Sequence, residues 1–130
     1  MRVEQVSVFI ENKKGRFKDI LQILYKKKIT LRALLISEAS DFCIVRMVLD
    51  DTKAALEALK TAGFTTRVDW LLSVEIPDVP GALLNTIIRP LAKSGIEPQY
   101  FYGYTESFTD KARVLIKTDN LEKASKIVGS

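Results

Sequence analysis

The sequence predicts an α+β protein in which one βαββαβ unit is written twice, and three observations carry that expectation. The chain repeats its own phrasing: Val6-Ser7-Val8-Phe9-Ile10 and a polar stretch lead to Gly15, while Leu72-Ser73-Val74-Glu75-Ile76 and Pro77-Asp78-Val79-Pro80 lead to Gly81, 66 positions later. Lys28-Ile29 recurs as Gly95-Ile96 and Arg46 as Arg113, each 67 positions on, and Asp51 recurs as Asp119, 68 positions on. Within each copy the apolar period changes at the glycine from two to about 3.6, as when a strand gives way to a helix. The second copy then ends after its second helix, one strand short of the first.

The elements follow in order. Val6, Val8 and Ile10 alternate as a half-buried strand, and after Gly15 the residues Phe17, Ile20, Leu21 and Leu24 form one apolar helical stripe. Residues 29–37 are rich in branched side chains and read as a second strand, turned at Ser40-Asp41 into a third over 42–49. Asp51 is placed to cap a helix containing Ala55, Leu56 and Leu59, with Gly63 as the residue just past its end. Residues 64–68 supply the fourth strand, and the order βαββαβ is the ferredoxin-like arrangement, helices on one face of an antiparallel sheet. The second copy predicts strand 71–76, helix 82–94, strands 96–104 and 112–117, and helix 120–128. Unit boundaries are expected at 1–68 and 69–130, yet only Asp69 separates the fourth strand from the fifth and no turn residue intervenes. Residues 65–76 are therefore expected to form one long strand serving both units, roughly 40 Å at 3.3 Å per residue. Pro90, inside the second copy's first helix, removes an N–H and should kink the helix or open the preceding turn.

Composition excludes several chemistries. The chain has no histidine and one cysteine, Cys43, which removes Ser-His-Asp and Cys-His nucleophiles, internal disulfides and most zinc or iron sites. Asp50-Asp51, the closest carboxylate pair, lies where a helix begins and reads as a cap. No phosphate-loop, dinucleotide-binding or nucleophile-elbow motif occurs, and the expectation is a non-enzyme without cofactor or metal. A net charge of +4 raises nucleic acid as a partner, but the basic residues are dispersed among carboxylates, and Lys26-Lys27-Lys28 closes a helix where cations suit the dipole. No apolar run approaches the roughly 20 residues that span a bilayer, and Met1-Arg2-Val3-Glu4-Gln5 lacks a signal core, so a cytoplasmic location is expected.

The turn Asp78-Val79-Pro80-Gly81-Ala82-Leu83 is the candidate for binding. Pro80 stiffens the entry, and Gly81 lets backbone N–H groups at the helix start face outward to a carboxylate; alternatively the glycine makes a tight turn that Asp78 caps. This turn before an amphipathic helix, followed by Gly95-Ile96 and a strand, resembles the ACT domain, and the doubled form resembles stand-alone tandem ACT proteins. Their phrasing recurs in Thr30-Leu31-Arg32-Ala33-Leu34, in Asp41-Phe42-Cys43-Ile44-Val45-Arg46, and in the run from Ala55 to Phe64, so the similarity covers residues 3–128.

The resemblance implies a regulatory sensor that holds a small molecule, usually an amino acid, where ACT units lie side by side. It places contacts at Asn12, Gly15, Arg16, Thr30 and Leu31 in the first copy, and at Asp78, Val79, Pro80, Gly81, Ala82, Leu83 and Glu97 in the second. The first turn, Asn12-Lys13-Lys14-Gly15, lacks the proline, and the asparagine frequent after the helix is Thr30 in one copy and Glu97 in the other. ACT domains commonly regulate an attached enzyme, so here the message is expected to pass to a separate, unidentified protein.

Tyr100, Tyr102 and Tyr104 share one face of a strand where the first copy has Ala33, Leu35 and Ser37. Core packing, an aromatic wall for a ligand and a base-stacking platform all fit that pattern, and the last makes single-stranded RNA binding the alternative function, with a structural dimerisation protein as a third. A homodimer is expected because the strand at 71–76 lacks a neighbour, and because Leu34 and Ile36 alternate away from the face carrying Ile29 and Leu31.

Overall fold

The computed structural model describes residues 1–11, 14–38, 41–105 and 109–129. The elements are β1 (Arg2–Glu11), α1 (Arg16–Lys26), β2 (Leu31–Glu38), β3 (Phe42–Leu49), α2 (Thr52–Thr61), β4 (Thr65–Pro77), a π-helical turn (Leu84–Ile88) running into α3 (Arg89–Lys93), β5 (Tyr100–Thr105), β6 (Lys111–Lys117) and α4 (Leu121–Val128). They fall into two compact units, Glu4–Asp69 and Trp70–Ser130 with Met1–Val3. As expected from the missing turn residue, β4 is one unbroken strand, its first part in one unit and its second part in the other. No helix among the described residues is long and apolar enough to cross a membrane.

The first unit has the strand order β2-β3-β1-β4. Alternation puts Val6, Val8 and Ile10 of β1 and Val45, Met47 and Leu49 of β3 into a buried cluster with Ile20 and Leu24 of α1, Ala55 and Leu59 of α2, and Phe64. Asp51 caps α2, its side chain accepting the Ala54 N–H at 3.1 Å. Beyond the helix, Gly63 at φ 88° lets the Phe64 N–H reach the Leu59 carbonyl at 3.0 Å. On β2 the expectation fails. Leu31 pairs with Leu49 and Ala33 with Val48, so Arg32 is an extra residue in a bulge that resets the alternation. Leu34 then sits opposite Met47 and Ile36 opposite Val45, on the same helix-bearing side as Leu31. They are nevertheless 41% and 45% exposed, because β2 is the outermost strand of the unit.

The second unit has the order β4-β6-β5, with Leu72, Val74 and Ile76 packed on Ile87, Leu91, Val114, Ile116, Ala124 and Val128. Its open strand position is partly occupied. Met1–Val3 belongs to this unit, and the Met1 carbonyl accepts the Ser73 N–H at 2.7 Å, so the edge beside Leu71–Ile76 is not the bare row of backbone groups on which the dimer expectation rested. Two boundaries also move. The expected strand 96–104 begins at Tyr100, since Pro98 has no N–H to offer a ladder. Asn120, at φ 53°, caps α4 by accepting the Lys123 N–H at 3.4 Å, whereas Asp119, the repeat partner of Asp51, accepts from the Gln99 side chain.

Candidate ligand-binding site

The two glycine turns have similar backbones and different surroundings. Gly15, at φ 85°, precedes α1 with no side-chain cap among the described residues, and its carbonyl accepts the Asp19 N–H at 2.9 Å. Gly81, at φ 81°, accepts the Asn85 N–H at 2.9 Å in the same way. Both conformations lie in the left-handed region that favours glycine. Among the described residues a Cβ on Gly15 would meet nothing within 4 Å, but one on Gly81 would lie 3.1 Å from the Asn85 side-chain nitrogen. That asparagine is held in turn by Arg89, which donates to its oxygen at 2.7 Å.

Beside the first turn, the Arg16 guanidinium stacks 4.2 Å from the centre of the Phe64 ring, next to a recess of about 290 Å³ lined by Phe9, Glu11, Arg16, Gly63 and Thr65. Asn12 lies outside the described residues. Thr30 and Leu31 lie at the other end of α1, where the Thr30 N–H donates to the Asp50 carboxylate at 2.9 Å and the Thr30 carbonyl accepts the Asp50 N–H at 3.1 Å. The first unit therefore does not bring Arg16 together with Thr30.

Around the second turn, the Asp78 N–H donates to the Asp110 carbonyl at 2.8 Å, and the Ala82 N–H to the Val79 carbonyl at 3.2 Å. Asp78, Val79, Pro80 and Gly81 are exposed, Leu83 is half-buried and Ala82 is buried. The Asp78 carboxylate does not cap the helix, for among the described residues it makes no hydrogen bond or ion pair.

Glu97 is separate from this turn, at the far end of the helical segment. It stands at the rim of a groove of about 500 Å³ whose walls are Ile88, Ala92, Ile96, Pro98 and Phe101. A further groove of about 430 Å³, between α1 and α2, is lined by Ile23, Ala54 and Ala58 with Lys26, Lys27 and Glu57 around them, and holds none of the residues expected to bind.

The faces of β5 follow from its pairing. Tyr100 opposes Lys117 and Tyr102 opposes Leu115, on the side away from the buried Val114 and Ile116, and Tyr104 is paired with Arg113. In the first unit Ala33 opposes Val48 and Leu35 opposes Arg46. Matching the two arginines pairs Tyr102 with Ala33 and Tyr104 with Leu35, two positions away from the equivalence expected from the sequence offset. Both arginines hold a buried serine of the central strand: Arg46 donates to Ser7 at 3.3 Å, and Arg113 to Ser73 at 2.8 Å and to Glu75 at 3.1 Å. Among the described residues no group of Asp, Glu or Cys is arranged to hold a metal ion.

Comparison with known proteins places the chain in a family. Residues 1–129 match the model of the ACT domain pair, and the protein belongs to that family. A solved Bacteroides thetaiotaomicron protein is 32% identical, with 99% of this chain and 88% of that one covered and a TM-score of 0.92. The regulatory subunit of aspartate kinase from Thermus thermophilus, in a ligand-free form, is 16% identical with 98% and 90% covered and a TM-score of 0.67. Its Thermus flavus counterpart is 18% identical with 97% and 90% covered and a TM-score of 0.66. These two share the fold. No curated protein matches the chain.

Proposed function

We propose that the protein is a non-enzymatic regulator that binds an amino acid at the Asp78–Leu83 turn and acts on a separate protein partner. The observation that carries this reading is the conjunction, in one turn, of the free Asp78 carboxylate with Gly81 opening a helical segment. The first N–H groups of a helix lack partners within it and attract a carboxylate, while Asp78 suits an ammonium, so the turn is complementary to a zwitterion. Membership of the ACT pair family supports a sensing role, as does likeness to two chains named as kinase regulatory subunits. The second unit is the favoured binder, because its turn carries the free Asp78 carboxylate, whereas Arg16, which follows the first glycine, is stacked on Phe64.

A homodimer remains part of the proposal, with its basis moved from the second unit to β2. That strand is paired on one side only, with β3, and carries the exposed Leu34 and Ile36. Sedimentation equilibrium of the protein and of Leu34→Lys tests this: a dimer that the variant dissociates is expected, and a monomeric parent protein contradicts it.

Thermal denaturation in the presence of each of the twenty amino acids tests the sensing role. A ligand at 100 times its Kd stabilises the folded state by about 2.7 kcal/mol. One or a few amino acids are expected to raise Tm; no shift with any of them at millimolar concentration rejects the reading.

A further inference from the structure

The trough between the two helices is open in the first unit and filled in the second. Capping and burial fix the comparison: Asp51 and Asn120 each cap their helix by accepting the N–H three residues on, and the buried Ala55 and Leu59 recur as Ala124 and Val128, all 69 positions apart. Ala54 therefore corresponds to Lys123 and Ala58 to Ile127. In the second unit the Lys123 ammonium reaches across to the Ser94 carbonyl at the end of α3, at 3.3 Å, and Ile127 packs against the buried cluster. In the first unit alanine methyls stand in their place, and they leave the space of about 430 Å³ beside Ile23. The rim of that space carries Lys26 and Lys27 on the α1 side and Glu57 on the α2 side. Among the described residues none of these three side chains makes a hydrogen bond or ion pair, and Lys28 follows directly.

We infer that this trough is where a separate protein docks, through an amphipathic helix whose apolar ridge fills the space over Ala54 and Ala58 and whose carboxylates meet Lys26 and Lys27. The inference rests on the proposed regulator for the existence of that partner, and adds the surface it uses and the chemistry it presents. Helices pack ridge into groove, and a gap left by two alanines one turn apart accepts the larger side chains of a partner's ridge. Cations without partners at the end of the trough select an acidic segment and fix the register in which it lies. The exposed apolar residues of this chain's own α1 do not match that description. Leu21 and Tyr25 share a side of the helix with Lys18, so a second copy would bring lysine to a rim that is already cationic.

A protein-observed NMR titration with a synthetic acidic helix tests the surface. The probe is an acetylated and amidated peptide of about 18 residues, long enough to be helical, with leucine at every third or fourth position and glutamate elsewhere; its match has lysine for every glutamate. Saturable shifts at Ile23, Ala54 and Ala58 are expected, with Kd on the order of 0.1 mM that weakens about fivefold between roughly 50 and 500 mM NaCl. Lys26→Gln with Lys27→Gln, both at exposed positions, should weaken the acidic peptide about tenfold. Ala54→Leu with Ala58→Ile, which fills the trough without changing its charge, should abolish binding; if that variant does not fold, the lysine variant decides alone. Shifts that fail to saturate by about 1 mM, a lysine peptide that binds equally, or undiminished affinity in either folded variant overturn the inference. Trough shifts that grow with protein concentration in the absence of peptide identify a second copy as the occupant and overturn it as well. The amino-acid screen separates this surface from the proposed function. A Tm raised by an amino acid, with no peptide bound, rejects the docking surface and leaves the sensor standing. Peptide binding that depends on Lys26 and Lys27, with no amino acid raising Tm, supports the surface and rejects the sensor.

Discussion

The helix after the glycine turn is regular in the first unit, α1 running from Arg16 to Lys26, and interrupted in the second, where a π-turn precedes α3. The buried stripe is the same in both: Ile20 and Leu24 in one, Ile87 and Leu91 in the other, all 3% exposed or less. Core packing has therefore been held constant while one residue was accommodated on the way to it. The difference teaches that the apolar core fixes where a repeat must be in register, and that insertions collect where the register can be absorbed locally. Here these are the turn of helix before a proline and the loop after the helix.

The largest effect that can probe this comparison comes from the core. Leu24→Ala and Leu91→Ala each remove a buried side chain and are expected to cost about 2–5 kcal/mol in urea denaturation followed by circular dichroism. Because β4 passes unbroken from one unit to the other, the first of these should also shift the unfolding seen by the fluorescence of Trp70, the protein's single tryptophan, which belongs to the second unit. A Trp70 transition untouched by Leu24→Ala would show that the units unfold independently.

A smaller loss is expected from Arg113→Ala, about 1–2 kcal/mol, because the nearly buried Ser73 loses its charged donor. Denaturant titration of that variant against Arg46→Ala sharpens the comparison, since Arg113 reaches its serine at 2.8 Å and Arg46 at 3.3 Å. The glycines come next. Alanine at either position carries the left-handed strain of about 1–2 kcal/mol, but only Gly81→Ala also crowds Asn85, so it should melt below Gly15→Ala. Equal melting temperatures would mean that Asn85 swings aside freely. Asp51→Ala, which removes the α2 cap, is expected to cost about 1 kcal/mol by the same measurement.

Most of the fold was legible because apolar periodicity and capping chemistry are local. Val6, Val8 and Ile10, the stripe through Ile20 and Leu24, and the stop at Gly63 sit where their spacing places them. Pro90 signalled an opened turn, and the rise in repeat spacing from 66 to 67 signalled an extra residue; the π-turn accounts for both. What was not legible depends on pairing between distant segments. The bulge at Arg32 reverses the face expected of Leu34 and Ile36, and the bond from Ser73 to Met1 joins residues remote in sequence. The glycine turns could be read from residue type because positive φ is a local demand. The groove at Glu97 could not: Glu97 is marked by the family resemblance alone, and Ala92 and Phe101 beside it stand out only once the pairing shows which residues the two copies share.

The central claim is that the second copy has diverged into the ligand-binding half of the pair. Backbone NMR mapping with the amino acid that gives the largest thermal shift tests it most directly. Perturbations are expected at residues 78–83, and the corresponding first-unit turn at Lys14–Arg16 should stay unchanged at saturation. Perturbations centred on Gly15 and Arg16, or equal at the two turns, would contradict the account.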